Sequence, residues 1–437
     1  LVGLLGGLSL TLMPTSQVVD SRRGTSRERR SIGDGAQRDR GNPDLPARPF
    51  RRHPLLRDAL ADLHPDTPRD KATTAFVETC LEAVADSAAA AVRRNRGRPH
   101  ASRLLRVLAH KKNILVTTHQ HPDPDALASA LAMVHLLRAK LPHAMVAMSL
   151  MGKIGGGINQ AFAELSELDL VAWDDGRLAT YDAVVLLDVQ PQSTYSPLPK
   201  GIEPTAVIDH HRTPLKMSKC AFCDIRTGVG ATSSILFSYL MELELEISPS
   251  LAASMLFAIE SDLAGAAGEP GELDNLALSS LTLIADTHKL YRMRYVDLPA
   301  AYFVSYAAAL NNAVHYDVGE GVIVSHLSSI DSLEKPAVMA DFLLRLEKVN
   351  WSLVTAIHET RLVMSLRTRS KTLSAVDVIR KITREVGTGG GHKFKAGGFV
   401  ALTDACVPAD IHATLVRRLL RVLHIPTGKA LPLVPAE

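Results

Sequence analysis

Cysteine is scarce in this chain of 437 residues: only Cys80, Cys220, Cys223 and Cys406 are present. Four are too few for a disulfide-built scaffold, and the scarcity fits a reducing, cytoplasmic setting. Cys220-Ala221-Phe222-Cys223 is a single CxxC. A structural zinc site would want a second pair or nearby histidines, so no metal or redox role is assigned to it. Net charge is small, +3 with 22% charged residues. That balance requires neither a nucleic-acid nor a membrane partner, although the charge is unevenly spread. No apolar run reaches about 18 residues, so no membrane span is expected. The N-terminal LVGLLGGLSLTLM is apolar but short, and no basic residue precedes it, so a signal peptide is not expected.

The chain does carry a 46% hydrophobic fraction, enough for a sizeable core, and its length suggests two domains plus extra sequence. Residues 20–52 are rich in Arg, Gly and Pro and poor in large apolar side chains. They cannot bury enough surface to offset ordering entropy, so residues 1–68 are expected to be a disordered Arg-rich extension. Such an arm could touch RNA, but a solvated tail is the plainer reading. Residues 69–104 are expected to be a helical segment, Ala-rich, with Phe76, Cys80 and Val84 at helical spacing.

From about residue 105 a strand–helix rhythm begins. NILVTTH (113–119), AMVAMSL (144–150), YDAVVLLDVQ (181–190) and TAVIDHH (205–211) read as strands, and the segments between the first three as helices. Residues 230–245 and 249–260 also read as helical. Apolar strand runs alternating with helices predict an α/β fold with a parallel sheet buried on both faces, over 105–285. A helical linker is expected over 286–315. A smaller mixed α/β C-terminal domain follows over 316–437, with strands at GVIVSHL, WSLVTAIHET, RLVMSLRT and GGFVAL.

Ligands of open α/β sheets bind beyond the carboxyl ends of the strands. The first strand delivers His119, Asp123 and Asp125 there, the third Asp188, and the fourth Asp209, His210 and His211. Later the apolar run MLFAI (255–259) leads into Asp262. A lone Asp at a strand end is ordinarily a cap or turn former. Several together would repel one another without cations. Asp and His donors without thiolates suit Mn²⁺ or Mg²⁺. The donors suffice for two ions, and a two-ion site activates water and stabilises phosphoryl oxygens. The residues therefore point to a dinuclear metallohydrolase of phosphate esters.

Three features extend that reading into a resemblance. His119-Gln-His-Pro-Asp123-Pro-Asp125-Ala matches the pattern HxxPDxDA, Asp188 sits in LLDVQ, and Asp209-His210-His211 is followed by Asp262 in ESDLAG. In this order and spacing the chain resembles the DHH phosphoesterases, and GTGGGHKFKAGG (387–398) resembles the GGGHxxAAG loop of the DHH-associated C-terminal domain. The resemblance covers roughly residues 105–425 and is closest to the bidomain nanoRNase, or oligoribonuclease-like, members. It implies that His119, Asp123 and Asp188 bind one metal, and that Asp125, Asp188, His210 and Asp262 bind the other, with Asp188 bridging. It further implies that His211 lies beside the phosphate, as donor or general acid, and that Asp209 orients a histidine of the motif. His121 is read as a surplus histidine in a solvent or outer role.

On the substrate side, Gly390, Gly391 and His392 would approach a phosphate or base closely, and Arg367 could hold a terminal phosphate bidentately. Arg369 and Lys371 could equally be a solvated edge. Lys395 stands where the loop pattern has a small residue, and either crowds the site or binds phosphate. MGKIGGG (151–157) lacks the GK[ST] of a P-loop and reads as a turn before a helix whose N-terminus could face the cleft.

The expected cofactors are two divalent ions, Mn²⁺ foremost with Mg²⁺ as the alternative. The expected substrates are short RNA or DNA oligonucleotides, or nucleotide phosphates such as phosphoadenosine phosphate. The alternatives are hydrolysis of linear or cyclic dinucleotides, a pyrophosphatase, and a non-catalytic nucleotide or RNA sensor. A homodimer is implied only by the resemblance.

Overall fold

The computed structural model describes residues 100–212, 220–263, 270–403 and 407–435, all within the compact unit His64–Glu437. The expected disordered extension and most of the expected N-terminal helical segment, with Cys80 and Cys406, lie outside the described residues.

Helix α1 (His100–Leu108) leads into β1 (Asn113–Thr118), α2 (Pro124–Lys140), β2 (Met145–Met148), α3 (Ile158–Leu165), β3 (Ala183–Leu187), β4 (Ala206–Asp209) and β5 (Phe222–Ile225). The five strands form a parallel sheet in the order β2-β1-β3-β4-β5. Strands β3 and β4 are buried along their whole length. Both faces are covered, which is why these strands are continuous apolar runs rather than alternating ones. Order reverses at β1: the chain goes outward to β2 and returns across β1 to β3. The carboxyl ends of β1 and β3 are therefore the switch point at which such sheets open a crevice.

Two buried helices, α4 (Thr232–Glu242) and α5 (Pro249–Leu263), then pack on α2 and complete the first core. Asp262 follows MLFAI as expected, in the last turn of α5, the helix predicted over 249–260. Helices α6 (Glu272–Ile284), α7 (Thr287–Arg294) and α8 (Ala300–Asn311) lead to the second sheet.

That sheet comprises β6 (Val314–Tyr316), β7 (Val322–Ser329), β8 (Trp351–His358), β9 (Arg361–Thr368), β10 (Thr388–Gly391), β11 (Lys395–Ala401) and β12 (Ala430–Pro432). Helix α9 (Lys335–Leu343) lies between β7 and β8, α10 (Ala375–Thr383) between β9 and β10, and α11 (Pro408–Val422) after β11. The order is β10-β11-β9-β8-β7-β6-β12. Only β7 and β8 pair in parallel among these strands. Side chains alternate between two cores, as period-2 strands require. Val322, Val324 and Leu353 meet α10 and α11, while Ile323, Val354 and Ala356 meet α8 and α9. The predicted class, a parallel-sheet domain followed by a mixed α/β domain, is the observed one. Strand β5, the short β6 and β12, and β10, which lies in the segment read as a Gly-rich loop, were not predicted. Among the described residues, no helix is long and apolar enough to cross a membrane.

Candidate metal centre

The loop after β1 turns sharply, with His121 in the left-handed region at φ 57°. It places His119 and Asp123 at the sheet edge, and Asp123 Oδ1 accepts from Ala126 N (3.1 Å), capping α2. Asp125, in the first turn of α2, is 1% exposed. Its two oxygens accept from the backbone N–H groups of Thr232 (2.7 Å) and Ser233 (2.9 Å) at the start of α4. Asp188 ends β3 with φ 59°, a left-handed conformation that Asp tolerates better than most residues. Thr232 Oγ1 donates to its Oδ1 at 2.8 Å.

The carboxylates and imidazoles converge. His119 Nε2 lies 3.5 Å from Asp188 Oδ2 and 4.0 Å from Asp123 Oδ1. His210 Nε2 lies 3.5 Å from Asp188 Oδ1 and 3.4 Å from Asp262 Oδ2. Asp188 thus turns one oxygen to each histidine. Donor atoms of His119, Asp123 and Asp188 lie within 4.8 Å of one another, as do those of Asp125, His210 and Asp262.

The ring nitrogens are arranged for ligation. His119 Nδ1 faces Gln120 O at 2.8 Å, and His210 Nδ1 faces Val229 O at 3.2 Å. A carbonyl can only accept, so each Nδ1 carries the proton and each Nε2 is left with a lone pair in the neutral ring. His210 Nε2 is buried without a hydrogen-bond partner. An imidazole with one nitrogen held by a carbonyl and the other bare among carboxylates is the usual setting of a metal ligand. The donor set therefore fits divalent cations.

Without such cations, the protons of the histidines balance the carboxylates. Burial pushes the Asp188 carboxyl up, but His211, His119 and His210 outweigh it and hold the group well below the usual carboxylate range. Burial opposes a charged His119, yet Asp188 and Asp123 raise it to about 9. His211 is likewise raised to about 10 by Asp188 and Asp209 against its burial. Asp125 is pushed up by burial and by the neighbouring Asp188, Asp262 and Asp123.

His211 stands beside the cluster. Asp209, fully buried, accepts from His211 Nδ1 at 2.7 Å and from its backbone N at 3.1 Å. Gln190 Nε2 in turn donates to Asp209 Oδ2 (2.8 Å) and to His211 O (3.0 Å).

The second sheet supplies the roof. His392 stacks on His210, with ring centroids 5.0 Å apart, and lies 4.3 Å from the ring of His211. Burial and the adjacent His211 depress it to about 3, so it is neutral. Gly391 has φ 137°, and a Cβ there would lie 2.4 Å from Lys395 O, so the tight turn into β11 excludes any side chain. Gly390 faces open space. Lys395 Nζ donates to Ser261 O (2.7 Å) and lies 3.2 Å from Asp262 Oδ1.

The remaining expectations separate. Arg367 pairs with Lys395 across β9 and β11. Its guanidinium is engaged by Asp341 Oδ1 (2.7 Å) and Ser365 Oγ (2.7 Å). His121 is exposed and belongs to no donor group among the described residues. The same is true of Cys220 and Cys223 as possible metal donors. The N-terminus of α3 is not open to the cleft: Glu334 Oε1 accepts from Ile158 N (3.2 Å) and contacts the Tyr302 hydroxyl. Sequence reasoning missed Gln190, Thr232 and Ser233. Their only signals were the polar residue after LLDV and the cap-forming run Thr-Ser-Ser at a predicted helix start.

Comparison with known proteins agrees with this architecture. Residues 113–259 match the model of the DHH family, N-terminal domain. An uncharacterized protein of Methanocaldococcus jannaschii is 30% identical over 293 residues, 67% of this chain and 59% of that protein. A probable manganese-dependent inorganic pyrophosphatase of Lactobacillus gasseri is 32% identical over 151 residues, 34% of this chain and 47% of its own length. The chain thus spans about half, or somewhat more, of these curated relatives. The crystal structure of an exopolyphosphatase-related protein from Bacteroides fragilis aligns with a TM-score of 0.60 at 16% identity. It covers 74% of this chain and 96% of that one, and it shows the shared two-sheet fold. With the motif residues gathered at the switch point of the parallel sheet, residues 113–259 are a DHH family N-terminal domain.

Proposed function

We propose that the chain is a metal-dependent phosphodiesterase. It cleaves short oligonucleotides or nucleotide phosphates at a dinuclear centre formed by His119, Asp123, Asp125, Asp188, His210 and Asp262. One observation carries the reading: Asp188 presents its two oxygens separately to the Nε2 atoms of two histidines whose Nδ1 atoms are each held by a backbone carbonyl. Divalent ions held there, Mn²⁺ foremost, would supply a nucleophilic water and neutralise charge on the phosphoryl oxygens.

The chain's own residues supply the rest. Asp209 fixes the ring of His211 through Nδ1, so its Nε2 is the nitrogen available to donate to a phosphoryl oxygen or to the leaving oxygen. Gln190 fixes Asp209 in turn. His392, neutral and stacked over the histidine pair, closes the site from the second domain and helps exclude water. Gly390 leaves room for a phosphate or base to approach the β10 backbone.

The test is Mn²⁺-dependent hydrolysis of 5′-labelled RNA dinucleotides to pentanucleotides, alongside linear and cyclic dinucleotides, phosphoadenosine phosphate and pyrophosphate. Mononucleotide release lost in Asp188→Ala supports the reading. Turnover of pyrophosphate alone, or of none of these by protein that binds Mn²⁺, overturns it.

A further inference from the structure

Among the described residues, Lys395 is the lysine that the second sheet inserts into the acidic cluster. It opens β11, and its side chain, 19% exposed, crosses to the end of α5. There the ammonium meets two acceptors, the carbonyl of Ser261 at 2.7 Å and Asp262 Oδ1 at 3.2 Å. Both lie in the last turn of the helix, where carbonyls lack intrahelical partners and positive charge is favoured. The other oxygen of the same carboxylate, Oδ2, is the one facing His210 Nε2 at 3.4 Å. One carboxylate thus serves the ammonium on one side and the donor group Asp125–His210–Asp262 on the other. Among the described residues, no lysine or arginine forms such a pair with the His119–Asp123–Asp188 group, whose carboxylates face histidines only.

We propose that Lys395 competes with the ion of the Asp125–His210–Asp262 position for Asp262. Loading of that position is thereby coupled to release of the β10–β11 hairpin from the first domain. The inference rests on the metal-dependent reading above. A divalent ion held by Oδ2 would share one carboxylate with the ammonium, which lies 3.2 Å from Oδ1, in a site where little water would screen the two charges. The two cations repel each other and divide the charge of one carboxylate. The lysine can yield, because its flexible stem lets the ammonium swing toward a bound phosphate, whereas the ion is fixed by its other ligands. Coupling of this kind is reciprocal: whatever factor the ammonium costs the ion, the ion costs the ammonium. The two metal positions therefore differ in affinity, with the His119 side filled first.

Calorimetric titration of metal-stripped full-length protein with Mn²⁺ tests this without measuring activity. The wild type should bind two ions, one tightly and one weakly. Lys395→Met should tighten the weak ion by at least about tenfold and leave the tight one unchanged. Lys395→Arg, which keeps the charge, should stay near wild type, and Lys395→Ala serves if the methionine variant does not fold. Hydrogen exchange in residues 388–398 should speed up when the second equivalent of Mn²⁺ is added to the wild type, but not to Lys395→Met. A weak ion whose affinity is unchanged or lowered in the neutral variants overturns the proposal while leaving the dinuclear reading intact. A wild type that binds no Mn²⁺ overturns both.

Discussion

The two halves of the candidate site are built differently. The part from the first domain is mostly deep-set: Asp125, Asp188, Asp209 and His210 are each 5% exposed or less and each held by a backbone group or a buried side chain, while His119 and Asp123 stand at its open side. The part from the second sheet, His392 and Lys395, hangs on a glycine hairpin and is only partly buried. On the proposed reading, the groups that hold the cations come from strand ends, a helix start and, at Asp262, a helix end. On the same reading, the groups that would admit and release a substrate come from a hairpin that meets the first domain through His392 and Lys395. On the proposed function, the first half would determine whether chemistry occurs, and the second on what.

The largest effect expected from this contrast is at Asp188. Asp188→Ala removes the carboxylate shared by both histidines, and should lower kcat by at least about 1000-fold and abolish binding of one or both Mn²⁺ ions in a calorimetric titration. A variant that retains two ions and near-normal turnover would erase the distinction between the halves. Next is His392→Ala, which should lower kcat/KM by roughly 100-fold while the two Mn²⁺ affinities stay within a factor of about 2; weakened metal binding would place this residue with the first half. Gln190→Ala acts through Asp209 and His211, so a fall of roughly 10- to 100-fold in kcat, with little change in KM, is expected.

The pH dependence sharpens the same point. His119 and His211 are raised to about 9 and about 10 when no metal is present. Their contribution to stability is full below about pH 6.5, their unfolded value. It is lost as pH climbs through 9 and 10. Thermal melts of metal-stripped protein should show Tm falling over that range. With Mn²⁺ the ions replace the protons, and the fall should be smaller. Equal pH dependence with and without Mn²⁺ would mean the histidines do not face the ions.

The smallest effect is structural. Asp125→Asn keeps the size of the side chain that accepts from Thr232 and Ser233, but places an amide donor against one of their N–H groups. A loss of about 1–2 kcal/mol in the metal-free protein is expected from denaturant melts.

Much of this organisation was legible in the sequence where burial is two-sided. Strands β1, β3 and β4 are apolar runs because both faces of their sheet are covered, and their ends turn abruptly to Asp and His. Strand β5, Phe-Cys-Asp-Ile, was not legible: alternate residues are half-exposed and it carries Asp224, which is buried against Arg226 and Tyr239. β6 and β12 are three residues each; β6 pairs with β7 and with β12, and β12 joins the sheet only through β6, a contact between segments more than a hundred residues apart.

The site shows the same division. Its motif residues announce themselves by type and clustering, whereas Gln190, Thr232 and Ser233 are ordinary polar residues whose partners lie 19 to 108 positions away. Arg367 was legible as a cation near the cleft, but not as a partner of Asp341, because nothing local in the sequence joins the two.

The central claim is that two ions share Asp188 between two histidines. The most direct measurement is anomalous diffraction at the manganese edge from crystals grown with Mn²⁺. Two peaks about 3.5–4 Å apart, one at His119 and Asp123 and the other at His210, Asp125 and Asp262, with Asp188 touching both, is the predicted result. A single peak, or peaks away from the Nε2 atoms of His119 and His210, would contradict it.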